Sequence, residues 1–332
     1  GGGGLSDVHA LEWVEAAHLV LLEIDGERLA DWSAVLTDVR VALQRVTASA
    51  TNVLPLEEQD AVAAALGDGG AGALMARVAE AARSIAWTSD DAWRRVRASL
   101  RRGPPRRGPR PLEAGIALHE GPPPEVVLAP EADAGDLMVA LRLAVAAARH
   151  GAAIERGSLE RLAAGAGSLP EPWPATARQL FLELLGAGAP AVGVIEALDQ
   201  RGIWGRLLPE WTAIRALPPH GPYHRFTVDR HLLETVAQVA RLAGAVERPD
   251  LLTLAALLHD LGKGRDGDHT ATGAALTETI ARRMGFEPGE VEVLSEAVRL
   301  HLLLADVATS RDLDDPGTVE RVADAVGSPE LL

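Results

Sequence analysis

The sequence predicts a mainly α protein: a helical bundle region, then an all-helical C-terminal domain, with a small β-hairpin between the two. The length of 332 residues exceeds what one hydrophobic core usually covers, so two or three domains are expected. Hydrophobic residues make up 47% of the chain and aromatic residues only 3%, which together with abundant alanine and leucine favours helices over strands. Six of the ten histidines lie between His220 and His301, which marks the last third as a separate region.

Charge and cysteine content exclude several classes of protein. The chain has no cysteine, so it forms no disulfide framework and offers no thiolate nucleophile or zinc–thiolate site. A net charge of −15 opposes attraction to nucleic-acid phosphates and to anionic lipid. No apolar run approaches the roughly 18 residues that a membrane span needs. We therefore expect a cytoplasmic protein without a nucleic-acid or membrane partner.

The first region, residues 1–110, is predicted to be helical. Residues 101–111 (RRGPPRRGPRP) end it as an exposed linker, because proline breaks helices. The eight arginines between Arg94 and Arg110 leave two interpretations open, a solvated linker or a guide for an acidic partner. Three tryptophans are interpreted as core anchors: Trp13, Trp87 and Trp93. Apolar residues recur at helical spacing in two sets: Leu11, Val14, Ala17 and Leu21, and Val35, Val39, Leu43 and Val46.

The second region, residues 111–217, is predicted to connect the other two. Short apolar stretches at residues 115–119 and 125–128 flank a Gly-Pro-Pro-Pro sequence, a pattern typical of a small hairpin. The helical period then returns three times, over residues 136–149, 174–185 and 191–199.

The third region, residues 218–332, begins with a predicted helical hairpin. Its first helix covers residues 228–243, and its second runs from Asp250, a suitable N-cap, to Leu261, where Gly262 stops it. His231 lies about fifteen residues before the turn and His259 about thirteen after it. In an antiparallel hairpin the two histidines therefore lie at nearly the same distance from the turn, measured along the helix axes.

A second hairpin follows, with helices over residues 270–284 and 288–303. His269 and His301 each lie 16 positions from its turn at Gly285, so they too meet at one end. Asp260 adds a carboxylate beside His259. Any one histidine is more often a surface or core residue than a ligand, but the combined set favours a divalent first-row metal.

At these residues the sequence resembles the HD domain of the bifunctional PII uridylyltransferase/uridylyl-removing enzymes. The ordered set His, His-Asp, Gly-Asp-His, His and Asp is more specific than any of its parts. The matching strings are residues 223–231 (YHRFTVDRH), 256–263 (ALLHDLGK), 264–269 (GRDGDH), 299–303 (RLHLL) and 311–315 (RDLDD), and, near the start, 3–13 (GGLSDVHALEW), 59–66 and 87–95.

The resemblance implies a site and its cofactor. One or two divalent ions are expected, with Asp260 as the bridging carboxylate. Mn²⁺ or Mg²⁺ is expected, and Fe²⁺ and Zn²⁺ are the alternatives. Lys263 and Arg225 are expected to neutralise phosphoryl oxygens, although Lys263 is equally a cation favoured at a helix C-terminus. The implied metal ligands are His231, His259, Asp260, His269, His301 and Asp312.

The resemblance also implies an activity. The third region would be an HD metal-dependent phosphohydrolase domain that removes UMP or AMP from a tyrosine of the PII nitrogen-signalling protein. Two alternatives remain open: a stand-alone HD hydrolase of a free nucleotide, and a catalytically silent, metal-bound regulatory fragment. The nucleotidyltransferase motif of the family, Gly-Ser followed by Asp-x-Asp, is missing, so that activity is not expected from this chain alone. The sequence stops at Leu332, where the family continues through its last HD helices into two ACT domains, so a fragment is expected.

Overall fold

The computed structural model describes residues 2–18, 23–100, 108–165, 167–218 and 226–328. The chain divides into two compact units. One comprises Gly1–Gly108, Glu120–Pro123 and Arg215–Asp229, and the other comprises Pro109–His119, Pro124–Ile214 and Arg230–Leu332. The second unit therefore holds most of the predicted connecting region and most of the predicted third region. The division into three domains stays a prediction.

Four α-helices make up most of the described part of the first unit, as the predicted helical region requires. Leu11 is buried in one apolar cluster, while Val39 and Leu43 are buried in another, as their spacing predicts. The interpretation of Trp13 as a core anchor is wrong, because 76% of its side chain is exposed, and Trp87 and Trp93 are only half-buried. The helices are α1 (Leu5–His18), α2 (Glu23–Thr47), α3 (Gln59–Leu66) and α4 (Ala71–Leu100).

The arginine run does not behave as one linker. Arg94 and Arg95 lie on α4, where both pair with the buried Asp91. Residues 101–107 lie outside the described residues. Arg110 and the proline after it belong to a strand rather than to the predicted linker. This strand lies at the edge of its sheet, where a proline is tolerated.

A four-stranded sheet in the second unit contains the predicted hairpin. Ile116 pairs with Leu128 across the antiparallel β2–β3 ladder, which confirms the hairpin. The first strand pairs antiparallel with β2, and the fourth runs parallel to β3. No sequence pattern predicted either strand, since the first is polar and contains a proline and the fourth has only two residues. The strands are β1 (Arg110–Glu113), β2 (Ile116–His119), β3 (Glu125–Leu128) and β4 (Ala153–Ile154).

Five α-helices follow the hairpin in the described residues up to Leu207. The first of them is buried along nearly its whole length, and it packs against β3, β4 and two later helices. They are α5 (Leu137–Arg149), α6 (Arg156–Ala164), α7 (Ala175–Gly186), α8 (Ala189–Gln200) and α9 (Ile203–Leu207). Among the described residues no single helix is long and apolar enough to cross a bilayer. The pair α7 and α8 meets those criteria only jointly, with a bend of 119° between them.

The aromatic core of the second unit lies near these helices. Phe181 is stacked on Trp204 at a ring distance of 5.3 Å, and both are fully buried. Trp173 and Trp211 pack edge-on against this pair at 5.6 and 5.9 Å. Ring pairs of this kind contribute beyond the area that they bury, and this cluster anchors the interior of the second unit.

The last helices include both predicted pairs: the second pair, residues 269–283 and 288–299, packs together as a hairpin, and the first pair, residues 228–239 and 249–258, is joined by the 3-10 segment Ala240–Ala245. The second helix of the first hairpin begins at Pro249 and ends at Leu258, so Asp250 is not its N-cap but pairs with Arg248 from inside the first turn. Asp268 caps the next helix by accepting from the Thr270 amide. The helices are α10 (Val228–Val239), α11 (Pro249–Leu258), α12 (His269–Arg283), α13 (Pro288–Arg299), α14 (Leu303–Ser310) and α15 (Pro316–Val326).

A buried ion pair ties α12 to the 3-10 turn Pro209–Ala213. Arg283 binds both carboxylate oxygens of Glu210 at 2.6 and 2.8 Å, with 14% and 12% of the two side chains exposed. Burial alone would raise the pKa of Glu210, but the hydrogen bonds and charge of Arg283, a backbone hydrogen bond and the charge of Arg265 together outweigh burial and hold the pKa below its ordinary value. The pair should therefore stabilise the fold at neutral pH.

The variant Glu210→Gln should lower the free energy of unfolding by about 2–3 kcal/mol at pH 7, because it leaves a buried guanidinium without its counter-ion. A depressed carboxyl pKa stabilises the fold above its unfolded value, near 4.3, and this contribution is lost as pH falls through the folded value. Urea unfolding of the wild type and the variant should therefore converge in acid.

The neighbouring arginine, Arg282, offers a matched control, because it forms an exposed ion pair. Glu278 pairs with Arg282 on the exposed face of α12, where 41% and 66% of the two side chains are exposed. The variant Glu278→Gln should change stability by less than about 0.5 kcal/mol. Equal losses in the two variants would contradict a stabilising role for the buried pair.

Candidate metal centre

Four histidines at the ends of helices α10 to α13 lie close together in the structure. His231 lies in the first turn of α10, His259 directly follows α11, His269 begins α12, and His301 follows α13. The ring centroids of His231 and His259 are 5.3 Å apart, those of His259 and His301 are 5.1 Å apart, and those of His269 and His301 are 6.0 Å apart. The structure thus brings together the four imidazoles that the hairpin spacing predicts to converge.

The Asp260 carboxylate lies at the centre of these rings, with only 2% of the side chain exposed. Its Oδ2 atom is 3.4 Å from His259 Nε2 and 3.8 Å from His231 Nε2. Its Oδ1 atom is 3.6 Å from His301 Nε2. Asp260 is therefore shared by two groups whose ligand atoms lie within 4.8 Å of one another: His231, His259 and Asp260, and Asp260, His269 and His301.

The backbone after α11 explains this placement. The α-helix ends at Leu258, three residues earlier than predicted, and the chain continues through a 3-10 turn, Leu261–Gly264. In a 3-10 turn, side chains three residues apart are eclipsed. Lys263 accordingly lies over Asp260, with its Nζ atom 2.6 Å from Oδ2.

Gly262 holds the turn against the start of α12. A Cβ at this position would overlap the His269 carbonyl and would lie 2.8 Å from the Gly273 nitrogen. Only glycine permits so close an approach of two backbones. This contact places His269 beside the turn that carries Asp260.

Backbone carbonyls orient two of the imidazoles. His259 Nδ1 lies 2.9 Å from the Ala256 carbonyl, and His301 Nδ1 lies 2.6 Å from the Val298 carbonyl. Because a carbonyl can only accept, Nδ1 carries a proton in both rings, and Nε2 is the ring nitrogen that faces Asp260. This arrangement is typical of metal-ligating histidines, whose second nitrogen is fixed by a backbone or carboxylate oxygen.

The ionisation of the site follows from its charges. Burial alone would raise the pKa of Asp260, but His259, His301 and Lys263 outweigh it and hold that pKa well below its ordinary value. Burial lowers the pKa of His301, but Asp260 and the Val298 carbonyl outweigh burial and leave the pKa raised. Asp260 is thus a carboxylate throughout the physiological range.

These residues fit a divalent ion. With metal–ligand bonds of about 2.1 Å, two ligands separated by about 90–130° lie roughly 3.0–3.8 Å apart, and the three observed N–O distances fall in this range. Among the described residues, the buried atoms Asp260 Oδ1 and His301 Nε2 have no hydrogen-bond partner. A cation between them would satisfy both atoms, whereas leaving them unpaired is costly.

Two residues of the predicted site are not brought into it. Asp312 is exposed, accepts from the Asp314 amide, and belongs to neither ligand group in the part of the chain that the structure describes, so its role as a ligand stays a prediction. Arg225 lies outside the described residues. From the sequence, Gly262 is predicted only as a helix stop, because no pattern of residue types signals the close approach of the His269 backbone.

The fold and the site together define an HD domain. The family profile for the HD domain matches residues 228–327, which include both ligand groups. A second profile, described as GlnD PII-uridylyltransferase, matches residues 1–93.

The chain belongs to the family of the bifunctional uridylyltransferase/uridylyl-removing enzymes. The protein of that name from Streptomyces coelicolor is 44% identical over 99% of this chain, and that from Mycobacterium tuberculosis is 43% identical over all of it. The Corynebacterium glutamicum protein of the same name is 33% identical over 98% of the chain. The matched regions cover 41%, 42% and 46% of these relatives, so the chain spans less than half of their length.

Proposed function

We propose that the HD domain of this chain is a metal-dependent phosphodiesterase that removes a nucleotidyl group from a tyrosine of the PII nitrogen-signalling protein. The observation that carries the proposal is the position of Asp260, whose two carboxylate oxygens face histidines of two ligand groups. The similarity to enzymes named for uridylyl removal supports it.

The two ligand groups would hold one or two divalent ions, with Asp260 common to both. Manganese or magnesium is proposed, with iron or zinc as alternatives, since imidazole and carboxylate ligands accept all four. A bound ion supplies a water of lowered pKa and positive charge for the phosphoryl group. Asp312 stays a predicted further ligand.

The chain supplies cations for the substrate as well. Lys263 lies at the edge of the site with 26% of its side chain exposed, and it is proposed to neutralise charge on the phosphoryl oxygens. Arg225 keeps the same proposed role from its place in the sequence. Preorganised cations of this kind stabilise the charge that develops as phosphate is transferred.

The proposed reaction is a hydrolysis. Water forms the new bond to phosphorus, the bond from phosphorus to the tyrosine oxygen breaks, and a proton goes to that oxygen. The products are a nucleoside monophosphate, UMP or alternatively AMP, and an unmodified tyrosine. The phenol is a fair leaving group because its ordinary pKa is near 10.

Incubation of the purified chain with nucleotidylated PII and manganese should release a nucleoside monophosphate. Mass spectrometry of the products identifies the base. Chelation of the ion should stop release, because the histidines and Asp260 then lack the cation that they orient. The variant Asp260→Asn serves as the second negative control.

Two outcomes would contradict the proposal. Turnover of free nucleotides but not of modified PII would favour a stand-alone HD hydrolase. Bound manganese without any turnover would favour a silent regulatory fragment.

A further inference from the structure

The two oxygens of Asp260 have different surroundings. The Oδ1 atom faces His301 and has no hydrogen-bond partner among the described residues. The Oδ2 atom faces His231 and His259, and it also contacts the ammonium of Lys263 at 2.6 Å. One ligand group therefore contains a resident cation within hydrogen-bond distance of its carboxylate oxygen, and the other does not.

Lys263 is also unusual in the composition of the chain. Of the 32 lysine and arginine residues, it is the only lysine. Lysine and arginine are not interchangeable: an ammonium is a compact charge on a flexible stem, whereas guanidinium is a rigid planar fork. A compact cation that can leave its partner is thus found once in this sequence, and it contacts the carboxylate shared by both ligand groups.

We propose that Lys263 competes with a metal ion for Asp260 Oδ2 and so makes the two metal positions unequal. The position formed by Asp260 Oδ1, His269 and His301 fills first. The position formed by Oδ2, His231 and His259 fills only when the ammonium moves away. The inference rests on the proposed metal centre and adds an order of filling to it.

The competition follows from charge and space. An ion bonded to Oδ2 would lie about 2.1 Å from an oxygen whose lone pair the ammonium already uses, and the two cations would repel each other. Lys263 can give way, because its side chain is partly exposed and it lies in a short 3-10 turn of four residues. The phosphoryl group of a substrate offers the ammonium another anionic partner, so substrate and the second ion would favour each other's binding.

Titration of the full chain with Mn²⁺, followed by calorimetry and by the electron paramagnetic resonance signal of paired ions, tests this order. The wild type should bind one ion tightly and a second weakly. Lys263→Met should tighten the second step by about tenfold to a hundredfold, since it removes one charge-assisted hydrogen bond that competes with the ion. Lys263→Arg, which keeps the charge, should leave the second step weak.

Variants of single histidines assign the steps. His301→Ala should remove the tight step, and His231→Ala should remove the weak one. Circular dichroism confirms that each variant is folded.

The single lysine gives an independent measurement. Labelling of Lys263 by an amine-reactive ester, followed by peptide mass spectrometry, should be slow after the first ion binds and about tenfold faster after the second, because the ammonium has then left Oδ2. The α-amino group is mapped to a different peptide and serves as the internal standard.

Three results would overturn the inference. They are equal second-step affinities in the wild type and Lys263→Met, a labelling rate that the second ion does not change, and a single binding step in every variant. The last result would leave a one-ion centre and the proposed hydrolysis intact. Absence of any manganese binding would instead contradict the proposed metal centre itself.

Discussion

Asp260→Asn should reduce nucleotide release by about a hundredfold to a thousandfold in kcat, which is the effect of losing one preorganised electrostatic group. The substitution keeps the shape of the side chain but removes the carboxylate that, among the described residues, both ligand groups share. One of its two atoms becomes an amide donor, which cannot bind a cation. The loss should therefore appear in metal content as well as in rate, and elemental analysis of the purified variant measures it.

A matched control for this variant is Asp306→Asn. Asp306 is an exposed aspartate in the first turn of α14, and it belongs to neither ligand group in the described part of the chain. It should retain both metal and activity. If Asp260→Asn kept its bound ion and its rate, the central position of this carboxylate would have no catalytic meaning.

The convergence of the histidines was predictable because helices have a fixed rise per residue. Counting from Gly285 placed His269 and His301 at one end of a hairpin, and the observed ring distance of 6.0 Å agrees. The same counting works for His231 and His259 although α11 ends three residues early, since the histidine still follows directly on the helix. Counting residues on both sides of a turn therefore predicts which side chains come together even when the predicted helix ends are wrong by a few residues.

Other features depend on tertiary contacts that no local pattern encodes. The two short apolar stretches around the Gly-Pro-Pro-Pro sequence predicted the β2–β3 hairpin, but nothing predicted β4, whose two residues form a strand only because β3 lies beside them. The aromatic core assembled around Phe181 and Trp204, whereas Trp13 stayed exposed, since composition does not say which face of a helix is covered. The family resemblance likewise predicted Lys263 as a site residue. Only the structure of the 3-10 turn shows that its ammonium contacts Asp260 Oδ2.

The contact between Gly262 and α12 is the structural feature on which the second ligand group depends most directly. Gly262 does not have a positive φ, so an alanine there would meet no backbone strain of its own. Its cost is purely steric, because the new Cβ would overlap the His269 carbonyl, and backbone cannot move aside as a flexible side chain can. The turn and the helix would have to separate.

Gly262→Ala should therefore lower the free energy of unfolding by about 2–4 kcal/mol, a large value for a single methyl group but within the range of overpacking and backbone strain. It should also weaken manganese binding at the position of His269 and His301, because the first turn of α12 moves with its histidine. Urea unfolding and manganese calorimetry measure the two effects on one sample.

Gly289→Ala is the matched control, since it adds the same methyl group in the first turn of α13, where no described heavy atom lies within 4 Å of the new Cβ. It should be neutral or slightly stabilising, because alanine is the better helix former. A Gly262→Ala protein with the stability and the manganese affinity of the wild type would mean that this backbone contact does not position His269. The spacing of the helical hairpins would then be sufficient to bring both ligand groups to Asp260.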